Sequence, residues 1–539
     1  MRWFLCVFLW AFLGCSLCAQ DVIRAALYLS GAATEEEIPE DYISFVESSP
    51  KVRINAKRIR PGLLSDYQIA SLTDYRASHG DILSLEELAL VDGFSAEAVA
   101  ALGPFLSLES SRMAGNTDTL RVRSTVLLRG TLTSFGAKAK VLGDGWRAGG
   151  AWRSGGGSFY GEYSGRFGTL LAGDFNIRYG QGLISWSGFS LSSLSTVDAF
   201  VWKATGLSPV WSYATPQNRG IAYEYGTRDF RGAVFATLSG TFGAHADYLW
   251  RHGQAGGTVI LTDAKMLSFS LDGRYNFRGS DVAWEAAYRN RSVAGKAALR
   301  IPVGESFRLA VQGRGIPSHF SGKKYGEYGA ALGTAFTSGK WQPLSGKTGF
   351  GSSVPAHQAS LTVDASMLPI PETDPRRLQI RVYASWKWQM LSAWALELRL
   401  TERYRNYENP RMAFRADVRY GNGPWLSVLR TEVVRCDKTG FLGYWEGGYK
   451  ADAFSAYLRL AGFLVDQWND RIYCYERDAP GTFSVPAYYG RGGALSAVGS
   501  WKHRFLRRFQ LRIYGRAALM MRRGRELSPT LNLQLHAEF

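Results

Sequence analysis

The 539-residue chain has five cysteines, and three of them, Cys6, Cys15 and Cys18, fall in its first 20 residues. Only Cys436 and Cys474 remain beyond that point, which excludes a cysteine-built zinc site and leaves at most one intrachain disulfide. The seven histidines lack the spacing of a zinc protease or deaminase, so no metal or other cofactor is expected. A hydrophobic fraction of 46% and a mean hydropathy of −0.14 are too low for a bundle of membrane helices. The basic residues do not gather in a run either. A net charge of +17 scattered along alternating segments fits a basic barrel lumen and lipopolysaccharide-facing rims better than a nucleic-acid surface. What is plentiful points the same way: Gly 60, Phe 29, Tyr 27 and Trp 17 are high together.

The first residues, MRWFLCVFLWAFLGCSLCAQ, place one Arg ahead of an apolar run too short to span a membrane, which reads as a secretory signal over 1–19. Cleavage after Ala19 would leave Gln20 first. The alternative, lipidation at Cys15, fits poorly with Phe12 and Leu13 before it.

From the C-terminal end, Leu531, Leu533, Leu535, Ala537 and Phe539 alternate with Asn532, Gln534, His536 and Glu538. Successive strand side chains point to opposite faces, so one face is oily and the other wet. Residues 378–388, 394–401 and 414–420 repeat the pattern, with Arg or Lys on the wet face and aromatics near strand ends. Each run suits a tilted bilayer-crossing strand. An open sheet in lipid would leave backbone groups unpaired at several kcal/mol each, so the strands must close. We expect a large antiparallel transmembrane β-barrel of about 18 to 24 strands over 119–539, its terminal Phe539 acting as an assembly signal to the outer-membrane assembly machinery.

With Phe539 in the periplasm, the strand count puts short turns such as Gly421-Asn422-Gly423-Pro424 inside and the long segments 366–377 and 467–488 outside. Candidate strands starting near 119, 145, 157 and 168 place 181–218 on the periplasmic side. Either the count is off by one strand or that segment folds into the lumen.

Residues 20–108 differ in kind: a small all-α domain, followed by a linker over 109–118. Two hairpin passages, Arg60-Pro61-Gly62-Leu63-Leu64-Ser65 and Leu90-Val91-Asp92-Gly93-Phe94-Ser95, lead into helices over Asp66 to Arg76 and Ala96 to Leu102. Ser65 and Ser95 are natural N-caps. Arg53-Ile54-Asn55-Ala56, Tyr75-Arg76, Gly80, Glu87-Leu88 and Gly93-Phe94 resemble the helix-hairpin-helix repeat of competence DNA receptors and pseudopilin-like secretion proteins. With Gly173-Asp174-Phe175, Tyr179-Gly180-Gln181-Gly182-Leu183, Arg219-Gly220 and DRIYCYERDAPGTFSVPAYYG, most of the chain resembles predicted outer-membrane barrels that carry an N-terminal helix-hairpin-helix (ComEA-like) domain.

The resemblance implies a hairpin contact to phosphate or to a partner at Gly62, Leu63, Ser65, Gly93, Phe94 and Ser95. The sequence departs from the DNA-binding pattern, because Ser95 stands where a second glycine would. Residues 54–108 also carry four basic groups (Lys57, Arg58, Arg60, Arg76) against seven acidic ones (Asp66, Asp74, Asp81, Glu86, Glu87, Asp92, Glu97), a net of −3. The expected function is therefore non-enzymatic: a barrel whose helical domain docks a periplasmic protein or occludes the lumen. DNA uptake and a passive porin are the alternatives.

Ser185, Ser187 and Ser190 follow a Gly-rich turn with no histidine nearby in sequence, so a structural turn is expected there, not catalysis. Trp186, Trp202 and Trp211 suggest a saccharide or lipid platform, or interfacial anchors. Cys436 and Cys474 fall on the same external side in the strand count. They could bridge if the 467–488 loop folds back over the rim, or stand as two unrelated thiols.

Overall fold

The computed structural model describes residues 19–539 except 57–58, 60–61, 110–121, 144, 188–193, 215, 228, 263–265, 278, 339–355, 371–372, 375, 391–392, 452, 481, 483, 506–508 and 525–526. The expected signal over 1–19 and the 109–118 linker lie almost wholly outside those residues. So does Ser190.

From Arg123–Thr131 to Ser528–Glu538, 24 antiparallel strands follow one another around a closed barrel, each pairing with its neighbours in the chain. The first and last strands close it, from Asn532↔Thr131 to Glu538↔Thr125. Phe539 extends the seam, since its amide donates to the Ser124 carbonyl at 2.9 Å and its carbonyl accepts from the Ser124 amide at 3.3 Å. A short extra strand, Gly206–Pro209, pairs with the end of Gly168–Arg178 where that strand has separated from Asn218–Gly226.

The two-residue alternation sorts the wall into two chemistries. In Leu267–Phe277, Leu267, Phe269, Leu271, Tyr275 and Phe277 are exposed, while Ser268, Ser270, Asp272 and Asn276 are buried. An exposed apolar exterior over a buried polar interior is the inverse of a soluble sheet sandwich and the arrangement that lipid requires. Aromatics cluster where strands meet turns at the Phe539 end. Trp394 packs on Tyr420 at 4.9 Å and Trp425 on Tyr449 at 5.0 Å, in the manner of an interfacial girdle.

The strand count corrects the sequence expectation. Five strands, not four, precede residue 179, the missed one being Phe135–Leu142. Its outward face carries Phe135, Ala137, Ala139 and Val141, mostly too small to read as an oily stripe, while Lys138 and Lys140 face inward. With that strand restored, residues 179–217 and 466–489 both connect strands at the end away from Phe539. Connections at the Phe539 end are short, as at 251–252 and 423–424; the longer one spans 339–355. Gly421 and Asn422 finish the strand Glu408–Asn422, so that turn is shorter than expected.

Before the barrel come helices Ala19–Ser30, Glu40–Ser48, Asp66–His79, Leu85–Leu88 and Ala96–Leu102. A parallel pairing of Val52–Arg53 with Leu106–Ser107 draws the two ends of this region together. Val22, Leu29, Ile43, Phe45, Ile54, Leu72, Ile82, Phe94, Leu102 and Phe105 belong to one buried core.

Candidate functional site

The helices form where side chains satisfy the amides that a helix start leaves unpaired. The Ser65 hydroxyl accepts from the Gln68 amide at 3.3 Å, and the Gln68 side chain accepts from the Ser65 amide at 3.0 Å, a complete capping box. Ser84 caps Glu87 and Ser95 caps Ala98, each at 3.1 Å. Gln68 also donates to the Gly93 carbonyl at 2.9 Å, which ties the first hairpin's helix to the second hairpin. Arg76 donates to the carbonyls of Ile54, Asn55 and Ala56, so the 53–56 corner is held by the helix that follows it.

This helical body sits in the barrel. At the Phe539 end, Lys140 donates to the Glu47 carbonyl at 2.6 Å and Arg147 to the Ser48 carbonyl at 3.1 Å. Asp74 and Glu97 stand 4.0 and 3.9 Å from Arg251 and Arg308 near the same mouth. The segment 31–48 reaches deeper. Arg178, fully buried, pairs with Asp41 and stacks over Tyr42 at 4.2 Å, and Arg399 donates to Thr34 at 3.1 Å.

Glu36 is the centre of this contact. Its carboxylate accepts from Arg430 at 2.7 Å, from Arg415 at 3.2 Å and from the Tyr475 amide at 3.1 Å. Burial opposes its charge, but Arg415, the amides of Glu36 and Tyr475, and Arg399 outweigh it and hold the carboxyl below its ordinary range.

Two further segments fold inward. Residues 179–217 carry Val197, Ala199 and Phe200 against Ala310, Ala331 and Ala335 of the wall, an apolar seam. Asp198 pairs with Arg300 and with Arg308; burial opposes its charge, yet the two arginines hold its carboxyl well below normal. Lys203 donates to the Tyr28 carbonyl at 2.6 Å, and burial lowers its amine to about 8, with Asp198 opposing that shift. The second segment, 466–489, buries Ile472, Cys474 and Tyr488 against Val434, Leu442 and Phe463. Both inward turns were signalled only by excess length between strands.

The residues singled out from the sequence fall in different places. Leu63 and Phe94 are buried in the helical core, and the hydroxyls of Ser65 and Ser95 are engaged as caps. Gly93 adopts φ +82° and Gly62 φ +150°. Ser65 and Tyr67 line a small cleft with Gln181, Trp202, Asp272 and Arg274, so the first hairpin faces the barrel wall. Ser185 and Ser187 are buried turn hydroxyls donating to the carbonyls of Tyr179 and Ile177. Half-buried Trp186 packs on Trp202 at 4.8 Å, and Trp211 is buried, donating to the carbonyls of Ala139 and Gly150.

Of the two arrangements open for Cys436 and Cys474, the structure has two separate, free thiols. The 466–489 loop folds into the lumen instead of over the rim. That carries Cys474 to the guanidiniums of Arg430 and Arg459, 3.7 Å from each, while Cys436 stays at the rim beside the Asn409 carbonyl.

No family model and no curated protein matches the chain. Among solved structures, the FpvAI–pyocin S2 complex is similar at 10% identity, over 79% of this chain and 74% of that one, with a TM-score of 0.37. Pseudomonas aeruginosa OccK10 (OpdN) is similar at 7% identity over 78% and 98%, with 0.32. A porin refined at 1.8 Å is similar at 13% identity over 56% and 100%, with 0.25. These likenesses are loose, and the barrel's own geometry defines the chain.

Proposed function

We propose that the chain is a non-enzymatic outer-membrane conduit that its own N-terminal helices keep closed. One observation carries this reading: among the described residues, the helical body has a self-contained apolar core, and it meets the barrel through charges and hydrogen bonds centred on Glu36. The 179–217 segment is instead fused to the wall through an apolar seam. Buried ion pairs add little net stability, because desolvation offsets most of their attraction, and their groups are readily taken back by water. A polar interface around a separately folded body can therefore open without exposing that body's core. An apolar seam cannot.

In this reading residues 1–19 are a signal removed on export, the Phe539 end is periplasmic, and the exterior contacts outer-membrane lipid and lipopolysaccharide. The helical domain is a helix-hairpin-helix pair whose exposed Leu83 and Leu90, beside Glu86 and Asp92, face a periplasmic protein partner that draws the plug aside. DNA is a poor candidate for that partner, given the −3 balance of residues 54–108.

Planar-bilayer recording of the full chain and of a 20–110 deletion tests the proposal. The full chain should be nearly silent and the deletion should conduct. Steady, equal conductance from both would make the barrel a passive porin and overturn the plug.

A further inference from the structure

Arginines face one another at the end of the lumen away from Phe539. Arg381 stands opposite Arg403, and Arg403 opposite Arg411, in the registers of Leu378–Gln389, Trp394–Arg405 and Glu408–Asn422. Directly paired residues share a face, and Arg411 reaches the in-folded loop, donating to the carbonyls of Asn469 and Arg471. The shared face is therefore the lumen. Arg471 adds a further guanidinium there.

Three carboxylates nearby are committed. Asp364, opposite Arg381 in the register, holds Arg314 at 2.8 Å. Glu408 is held by Arg405 at 2.8 Å and lies 3.8 Å from Arg403. Asp470 accepts from the amides of Cys436, Asp437 and Lys438. Arg411 and Arg471 meet neutral acceptors instead: Arg471 donates to the Tyr473 hydroxyl and the Trp468 carbonyl, each at 2.9 Å. Like charges directly opposed across a strand pair destabilise it. Arg403 keeps 38% of its side chain exposed, so a solute can reach it.

We propose that Arg403 and Arg411, joined by Arg471 of the in-folded loop, bind a soluble anion carrying two or more phosphate or carboxylate groups at the mouth of the lumen. Neighbouring strands stand about 4.8 Å apart, so one such molecule can engage both wall arginines. The planar guanidinium suits forked contact to these groups. A bound anion would cancel the repulsion across the register and fasten the loop to the wall. The site does not depend on the plug, and its test is equilibrium binding, not conductance.

Calorimetric titration of the full chain in detergent micelles with tripolyphosphate decides the matter. Wild type should bind it more tightly than orthophosphate. The R403Q/R411Q variant should weaken binding about tenfold or more, the loss expected when at least one charge-assisted hydrogen bond to the anion is removed. R403K/R411K should retain part of the affinity. Arg153→Gln, at the same end but many strands away, should leave it unchanged. Heat-modifiable migration on gels confirms that each variant is folded. Failure of wild type to bind tripolyphosphate, equal weakening by Arg153→Gln, or binding of lipopolysaccharide phosphates alone would each overturn the proposal.

Discussion

Gly31, in the N-terminal helical body, lies against the backbone of Ala199 in the in-folded 179–217 segment: a Cβ built on Gly31 would fall 2.9 Å from both the Ala199 Cα and its amide nitrogen. Gly31 also holds φ +72°, and its carbonyl accepts from Thr196 at 2.6 Å. Only a residue without a side chain lets the two backbones meet there. Gly31→Val adds roughly 1–2 kcal/mol of left-handed backbone strain to a backbone clash. It should loosen the plug, raising single-channel activity and exposing 19–48 to added protease, with the barrel still heat-modifiable. Wild-type conductance together with wild-type protease protection would show that this contact does not hold the plug.

Glu36→Gln keeps the shape of the central contact but removes its charge. Arg415 and Arg430 retain Asp417, at 2.8 and 2.7 Å, so the loss should be nearer the 1–3 kcal/mol of a charged hydrogen bond than the 3–5 kcal/mol of an orphaned buried charge. Glu36→Arg adds a third cation and should displace the segment outright. Conductance should rise in the order wild type, Glu36→Gln, Glu36→Arg. A flat series would remove Glu36 from the gate.

A pH dependence of the Glu36 contact follows from its depressed carboxyl. A group whose folded value lies below its free value contributes stability that is complete above the free value and lost as pH falls through the folded one. Docking should therefore be intact at about pH 6 and weaken progressively below about pH 4, near and beneath the free carboxyl range. Bilayer recordings should show openings increasing over that interval, with a smaller rise in Glu36→Gln. Openings that decrease on acidification would reverse the assigned sign.

Deleting Phe539 removes both backbone bonds to Ser124 and the ring packed on Phe509 at 4.9 Å. These lie at the seam where the barrel closes, so the yield of heat-modifiable protein in outer membranes should fall several-fold, an expectation of order from the loss of two hydrogen bonds. Wild-type levels would count against a role in closure.

The two cysteines should respond differently to maleimide without reductant. Cys436, partly exposed at the rim, should label in the folded protein, whereas buried Cys474 should label only after unfolding. Burial raises both thiols, that of Cys474 well above its usual range, which slows reaction further. Labelling of either residue only after reduction would reinstate the disulfide.

Features that depend on near neighbours in the chain were legible. The strands from Leu378–Gln389 onward show because alternation is a two-residue property. The helix starts at Ser65 and Ser95 show because a cap acts three residues away. Phe135–Leu142 was missed for a local reason too: alanine carries too little apolar surface to mark an outward face. The cysteines stay undecided from sequence because a strand count places both residues at one end but does not say whether the loop between strands turns over the rim or into the lumen.

Composition, alternation and the terminal aromatic strand were thus enough to determine a closed antiparallel barrel preceded by a helical region, since backbone pairing in lipid leaves no other solution for such segments. What fills the barrel was decided only in three dimensions. Glu36 meets Arg415 across 379 positions and Arg430 across 394, and nothing in the surroundings of any of the three in the chain marks it as a partner. Their pairing depends on strand closure, which creates a charged interior, and on the helical body being shaped to enter it.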